Sequence, residues 1–135
     1  MKMKKILFVD DEPLGHESLR YALEARGYEC VIATDMSSAL NALRAQDFSV
    51  VVTDIMMPGG ADYPSVDSQE VGFHFVEMLR EHWPRIPVIC LSVIGDQIKI
   101  RGLKRKRVQY LRKGEGPLST AVDVVSRAAS GRYSY

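Results

Sequence analysis

Short apolar runs alternate with stretches of helical periodicity along the chain. The runs at residues 6–9, 30–33, 48–53, 88–91 and 108–111 are short and mostly apolar, which predicts five strands. Residues 50–52 are all valine. A run without alternation is typical of a strand that is buried on both faces of a parallel sheet.

The segments between and after these strands predict five helices. Two of them repeat apolar residues at i, i+3, i+4 and i+7: Gly72, Phe75, Val76 and Leu79 in one, and Leu118, Ala121, Val122 and Val125 in the other. Residues 96–104 are also expected to be helical, although Ile98, Ile100 and Leu103 fit no single face. Strands that alternate with helices imply βαβ crossovers, so the expected fold is a three-layer α/β sandwich around a parallel sheet.

The chain is expected to form one domain over residues 1–129, followed by a polar tail at residues 130–135 that frays. Residues 59–71, GGADYPSVDSQEV, lack periodicity and predict an extended loop after the third strand, where about 2 to 6 residues are usual. This loop is either a lid or partner-selecting element, or a tolerated surface insertion.

Composition places the chain among ordinary globular domains. Its 135 residues are 46% hydrophobic and 26% charged, and no apolar run approaches the ~20 residues that span a bilayer. The apolar stretch near the start ends at two aspartates, so an export signal is not expected. Cys30 and Cys90 lie in strand-like stretches, which favours reduced core thiols in a cytoplasmic protein.

The net charge of +1 hides an uneven distribution. Residues 1–96 carry 8 Lys or Arg against 15 Asp or Glu, a balance of −7. Residues 97–114 carry 8 Lys or Arg and no acidic residue. The chain therefore has one strongly basic segment on an otherwise acidic domain.

Polar side chains follow four of the predicted strands at the points where the strands end. They are Asp10 and Asp11, Asp54, Ser92 and Lys113. In open α/β sheets, ligands bind beyond the carboxyl ends of the strands. Asp54 taken alone also fits a turn, since proline and glycine follow closely.

This set of residue types indicates phosphoryl chemistry. Clustered carboxylates repel one another unless a cation compensates, and an all-oxygen site with few carboxylates suits Mg²⁺. Asp54 can act as a nucleophile, while the metal and Lys113 stabilise charge on the phosphoryl oxygens and Ser92 donates a hydrogen bond to them. The sequence therefore predicts phosphoryl transfer to Asp54.

The chain resembles the receiver domain of two-component response regulators. The resemblance is carried by five motifs in order: VDDE at residues 9–12, TDIMMPG at 53–59, GF at 72–73, CLS at 90–92 and YLRK at 110–113. It implies a flavodoxin-like, doubly wound (βα)5 sandwich with a five-stranded parallel sheet. It also implies that a sensor histidine kinase or a phosphotransfer protein donates the phosphoryl group to Asp54.

The resemblance further implies roles for individual residues. Mg²⁺ would be bound directly by Asp11, Asp54 and the carbonyl of Met56, and by Asp10 largely through water. Ser92 and Tyr110 resemble the family's switch pair, which reshapes the face of the fourth helix and fifth strand after phosphorylation.

Two departures from the family pattern support an alternative function. Gly114 follows Lys113 where the family usually has proline, so a trans peptide bond is expected there, and Val93 replaces a small residue. The alternative is a pseudo-receiver that binds proteins without being phosphorylated. A phosphatase with an aspartate nucleophile is a remote third interpretation, because it needs an acid where Met56 stands, and we do not expect an enzyme.

The basic segment is the candidate partner surface. Lys104, Arg105, Lys106 and Arg107 favour an acidic protein partner, bound preferentially after phosphorylation. Nucleic acid is less expected because no DNA-reading module remains, and anionic lipid is a third option. A homodimer formed on phosphorylation is a further expectation. The three histidines, including His16, match no metal spacing and are expected to be solvated helix residues.

Overall fold

A computed structural model describes residues 3–55, 57–64, 68–93 and 96–133. Its strands are β1 Lys5–Val9, β2 Glu29–Ala33, β3 Val50–Thr53, β4 Val88–Ser92 and β5 Val108–Arg112. Its α-helices are α1 Glu17–Ala25, α2 Met36–Ala45, α3 Ser68–His82, α4 Gln97–Arg105 and α5 Leu118–Ala129. A 3-10 turn, Pro13–His16, precedes α1.

The five strands form one parallel sheet in the order β2-β1-β3-β4-β5. The strand order reverses between β1 and β3, which makes this the topological switch point. Val9 pairs with both Ala33 and Thr53, so the first three strands end level with one another. The residues that follow these strands therefore emerge together at one edge of the sheet.

The core lies in two layers, one on each face of the sheet. Leu7 and Val9 pack with apolar residues of α2 and α3, whereas Ile6 and Phe8 pack with those of α1 and α5. Successive side chains of β1 thus enter opposite layers, and all four are fully buried. The predicted three-layer α/β sandwich is confirmed.

Helix α4 is present where the apolar pattern was weakest. Ile100 and Leu103, three residues apart, face the core, while Ile98 is 78% exposed. The side chain of Asp96 accepts a hydrogen bond from the amide of Ile98 at 2.9 Å and caps the first turn. The pattern was unclear because one of the three apolar residues lies on the solvent side.

The extended loop predicted at residues 59–71 is shorter than expected, because α3 already begins at Ser68. Val71 is fully buried and lies one turn before Phe75 on the apolar face of α3. The first part of the loop is fixed to α2, since the amide of Ser37 donates to the Gly59 carbonyl at 3.0 Å. Residues 65–67 lie outside the described part of the chain.

The tail does not fray at Tyr133, in contrast to the sequence-based expectation. Its half-buried ring packs against the layer that contains α5, and its hydroxyl donates to the carbonyl of Val88 at 2.6 Å. A tyrosine in a polar segment looked solvent-exposed, but the end of α5 brings it to the start of β4. Within the described residues, no helix is long and apolar enough to cross a membrane.

Candidate functional site

The backbone around two aspartates is fixed by the neighbouring strands. The amide of Asp10 donates to the Ala33 carbonyl at 3.0 Å, and the amide of Asp54 donates to the Val9 carbonyl at 2.9 Å. The parallel hydrogen-bond pattern thus continues one residue beyond β1 and β3. Both carboxylates therefore leave the sheet side by side at its carboxyl edge.

Lys113 joins these two carboxylates. Its Nζ donates to Asp10 Oδ2 at 2.8 Å and to Asp54 Oδ2 at 3.3 Å. Burial by itself lowers the pKa of Lys113, but its hydrogen bonds and the negative charges of Asp10 and Asp54 outweigh burial, so the pKa is raised above 10.5. The lysine is a permanent cation between the two acids.

The second oxygen of each carboxylate is held by the backbone. Asp10 Oδ1 accepts from the amide of Glu12 at 2.9 Å, and Asp54 Oδ1 accepts from the amide of Ile55 at 2.6 Å. Each acid thus has one oxygen on a backbone amide and one on Lys113. This pairing fixes the rotamers of both acids, and Asp10, only 3% exposed, is almost completely removed from solvent.

The turn that carries Lys113 differs from the family's usual proline-containing turn. The Lys113–Gly114 peptide bond is trans, as predicted. Gly114 has φ of 76°, in the left-handed region that favours glycine. The amide of Lys113 donates to the Ser92 carbonyl at 2.9 Å, which continues the β4–β5 pairing. The lysine therefore reaches the carboxylates without a cis peptide.

The third acid, Asp11, is exposed. Its pKa is raised, first by partial burial and then by the negative charge of Asp10, with smaller contributions from Glu12 and Asp54. A cation bound near Asp11 would lower this pKa, because it stabilises the charged carboxylate. The electrostatics of this edge therefore favour an added positive charge.

The donor atoms at this edge are carboxylate oxygens, the ligands that Mg²⁺ prefers. Asp10, Asp11 and Asp54 are the acids that fit it. Within the described residues, however, no three acidic, His or Cys side chains form a ready-made metal cage. Mg²⁺ commonly keeps several waters, so an open set of acids suits it. Met56, the expected carbonyl ligand, lies outside the described part of the chain.

The two predicted switch residues lie on the neighbouring strands β4 and β5, where Tyr110 pairs with Cys90, two residues before Ser92. Ser92 is 1% exposed, and the Tyr110 hydroxyl donates to the Ser92 carbonyl at 3.4 Å. The Tyr110 ring packs against the core layer that contains α3. Burial, and then Cys90, raise the pKa of Tyr110, so its hydroxyl stays protonated and can donate.

His16 is a residue whose environment the sequence misjudged. It is 5% exposed rather than solvated, and its ring stacks on Phe8 with 4.9 Å between centroids. Its Nδ1 accepts from Arg20 Nε at 3.1 Å, while Nε2 is buried without a hydrogen-bond partner among the described residues. Burial lowers its pKa, with the Asp10 charge opposing. The 3-10 turn after the acidic pair carries the ring inward, which periodicity does not reveal.

The two cysteines have high pKa values and are not paired with each other. Both are free thiols, and burial, followed by the charge of Glu24, raises the pKa of Cys30 to about 11. Burial raises the pKa of Cys90 as well, followed by a contribution from Asp54. Both cysteines lie in strands, as predicted, and their raised pKa values disfavour the reactive thiolate.

Solved structures share this fold. Chemotaxis protein CheY4 of Vibrio cholerae superimposes with a TM-score of 0.76 at 24% identity, covering 94% of this chain and 99% of that chain. A CheY-like response regulator receiver domain protein of Methanospirillum hungatei gives a TM-score of 0.80 at 18% identity, covering 97% of each chain. The flavodoxin-like arrangement is therefore confirmed by direct comparison.

Sequence comparison gives the family. Residues 6–122 match the model of the response regulator receiver domain. PhoB, the phosphate regulon transcriptional regulatory protein of Escherichia coli, is 32% identical over 117 residues, which cover 84% of this chain and 47% of PhoB. The probable transcriptional regulator ycf27 of Cyanophora paradoxa is 35% identical over 115 residues, 84% of this chain and 44% of that protein. The chain spans about half the length of these relatives, and it belongs to the response regulator receiver domain family.

Proposed function

We propose that this receiver domain accepts a phosphoryl group on Asp54 and signals through a conformational switch to a protein partner. The observation that carries the proposal is the bridge from Lys113 to both Asp10 and Asp54. A purely structural ion pair needs one acid, whereas a phosphoacceptor site needs a fixed carboxylate beside a mobile cation. The proposed role is that of an acceptor rather than of an enzyme.

In the proposed reaction, a carboxylate oxygen of Asp54 attacks the phosphorus of a phosphohistidine. A P–O bond forms, the P–N bond breaks, and the electron pair of that bond stays on the histidine nitrogen of the donor. The donor is a sensor histidine kinase or a phosphotransfer protein. Asp11, Asp54 and the Met56 carbonyl would hold Mg²⁺ directly and Asp10 largely through water, and the metal would neutralise charge on the phosphoryl oxygens.

Lys113 and the backbone supply the remaining steps. The amide of Ile55 keeps Asp54 oriented, and Lys113 transfers part of its hydrogen bonding from the carboxylate to a phosphoryl oxygen. Ser92 then donates a hydrogen bond to the phosphoryl group, and Tyr110 loses or changes its bond to the Ser92 carbonyl. Because Tyr110 lies on β5 and packs against the core layer that also contains Leu103 of α4, this rearrangement would alter the neighbouring face of α4 and β5.

The partner in this proposal is an acidic protein surface that contacts Lys104, Arg105, Lys106 and Arg107 and binds preferentially after phosphorylation. All four side chains are exposed. A homodimer formed on phosphorylation and a cytoplasmic location complete the proposal. PhoB and ycf27 are named as transcriptional regulators, and a role for this chain in such regulation is part of the proposal as well.

The test is phosphorylation by acetyl phosphate in the presence of Mg²⁺, followed by intact mass measurement. The protein is expected to gain one phosphoryl mass, and Asp54→Ala is expected to gain none. Asp47→Ala, which removes a carboxylate away from the site, is the matched control and is expected to behave like the unmodified protein. The comparisons do not support the pseudo-receiver alternative. An unmodified mass for all three proteins would nevertheless reject the proposal and favour that alternative.

A further inference from the structure

The turn between α4 and β5 lies at the amino-terminal edge of the sheet, opposite Asp54, and Arg80 of α3 holds its backbone. Arg80 donates to the carbonyls of Lys106 at 2.7 Å and Arg107 at 2.8 Å. The same guanidinium donates to the Ile86 carbonyl at 2.7 Å, in the turn between α3 and β4. One side chain thus ties two turns together by charge-assisted hydrogen bonds.

Tyr133 ties the tail to the same place. Its hydroxyl contacts the carbonyl of Arg107 and donates to that of Val88, and it accepts from the amide of Gln109 at 3.2 Å. Arg107 has φ of 60°, a left-handed conformation that is unfavourable for a residue with a side chain. Arg80 donates to the carbonyl of Arg107, and Tyr133 contacts the same carbonyl, so two side chains hold this conformation. The turn is therefore rigid, and three separate chain segments meet there.

These contacts gather cations that are distant in sequence. Arg85 stands in the turn bound by Arg80, and Arg132 directly precedes Tyr133. We call the exposed side chains of this region the basic edge: Arg85, Lys104, Arg105, Lys106, Arg107 and Arg132. Within the described ranges, none of the six takes part in a salt bridge. The backbone carbonyls of Lys106 and Arg107 accept hydrogen bonds from Arg80, while the charged side chains of the basic edge are exposed to solvent.

We infer that the basic edge is a composite docking surface for an acidic protein segment, with Arg80 and Tyr133 as its positioning residues. This inference specifies the surface that binds the partner of the proposed function, and it rests on that proposed function. The inference adds Arg85 and Arg132 to the four consecutive cations at residues 104–107, so the partner contacts three chain segments rather than one.

The charge distribution favours a compact acidic protein over an extended polyanion. The chain carries +1 in total, and residues 1–96 carry 8 basic against 15 acidic residues. A nucleic acid or an anionic bilayer extends beyond the basic edge and meets this acidic surface, which repels it. A short acidic segment contacts only the cations. Four of the six are arginines, which pair with carboxylates through two parallel hydrogen bonds.

The test is fluorescence anisotropy with a labelled peptide rich in Asp and Glu, titrated with the full chain at low and physiological salt. Arg85→Ala and Arg132→Ala are each expected to weaken binding roughly two- to fivefold, the range of single exposed ion pairs. Arg44→Ala removes the same charge from α2 and is expected to leave binding unchanged. Equal weakening by Arg44→Ala would show a general charge effect and overturn the inference.

Arg107→Gly separates docking from folding. Glycine relieves the left-handed backbone, so the unfolding free energy is expected to hold or rise, while peptide binding is expected to weaken. Tyr133→Phe keeps the ring and removes the hydroxyl, and is expected to weaken binding through loss of the fixed turn. Unchanged peptide binding in both variants would contradict the inference.

Two competing ligands complete the experiment. Double-stranded DNA and phosphatidylserine vesicles are titrated under the same conditions, and tighter binding of either than of the peptide would overturn the assignment to an acidic protein. All titrations are run with and without acetyl phosphate. If Asp54 is not phosphorylated, the peptide titration still shows whether the basic edge binds an acidic segment. The two proposals can therefore be rejected independently.

Discussion

The amide of Gly72 donates a hydrogen bond of 3.0 Å to the carbonyl of Ile55, the residue that follows Asp54. A side-chain carbon at position 72 would lie only 2.2 Å from that carbonyl oxygen. The second turn of α3 therefore rests directly on the backbone that follows Asp54, the proposed phosphoacceptor. This contact connects the packing of α3 to the geometry of the site.

Replacing Gly72 by alanine is expected to destabilise the fold by about 1–3 kcal/mol, because the added methyl group cannot fit without a backbone shift. The same shift moves Ile55, so phosphorylation by acetyl phosphate is expected to slow. Urea unfolding and intact mass measure the two effects. Gly102→Ala is the control, since its added carbon meets no atom within 4 Å and alanine favours a helix. Equal stability of the two variants would contradict the prediction.

Lys113→Met is expected to slow phosphorylation of Asp54 by about 10²-fold, the typical effect of removing one donor that stabilises developing charge. Methionine keeps the length of the side chain but leaves the carboxylates of Asp10 and Asp54 facing each other without the ammonium. Initial rates with acetyl phosphate provide the measurement. The neighbouring Arg112→Ala should retain the parent rate, because Arg112 lies near Glu115 rather than at the site. A parent-like rate for Lys113→Met would count against the proposed mechanism.

His16 is expected to make stability depend on pH. Because burial lowers its pKa below 6.5 in the folded chain, the unfolded chain takes up a proton first as the pH falls. Its contribution to stability is thus present above pH 6.5 and is lost as the pH falls toward the folded pKa. As the pH falls below 6.5, the unfolding free energy of the parent should therefore decrease more than that of His16→Asn. The amide oxygen of the asparagine can still accept a hydrogen bond from Arg20. Parallel pH curves of the parent and of His16→Asn would exclude this effect.

Arg80→Met is expected to lower the unfolding free energy by about 1.5–3 kcal/mol, the range for hydrogen bonds to a charged group. The lost bonds are those to the carbonyls of Lys106, Arg107 and Ile86. Arg85→Met removes a cation five residues away without removing those bonds and should be nearly neutral. Urea denaturation of both variants measures the difference. An equally small loss of unfolding free energy in both would show that the α3–β4 and α4–β5 turns keep their positions without Arg80.

The local pattern of the chain determined most of the fold and the principal site. Apolar runs set the strands, and parallel pairing then requires that Asp10, Asp54, Ser92 and Lys113 emerge at one edge. The trans peptide before Gly114 likewise follows from residue type. These predictions depend on periodicity and on backbone chemistry, which the sequence contains directly.

Tertiary structure decided the features in which a polar side chain finds a buried or distant partner. His16 looked like a solvated helix residue, yet its ring stacks on Phe8. Tyr133 lay in a tail expected to fray, yet its hydroxyl bonds to Val88 across the end of the sheet. Val71 stood in an apparent loop, yet it is buried in the first turns of α3. Sequence periodicity reports which face of an element is apolar, but only the packed elements determine which distant groups satisfy each hydrogen-bond donor and acceptor.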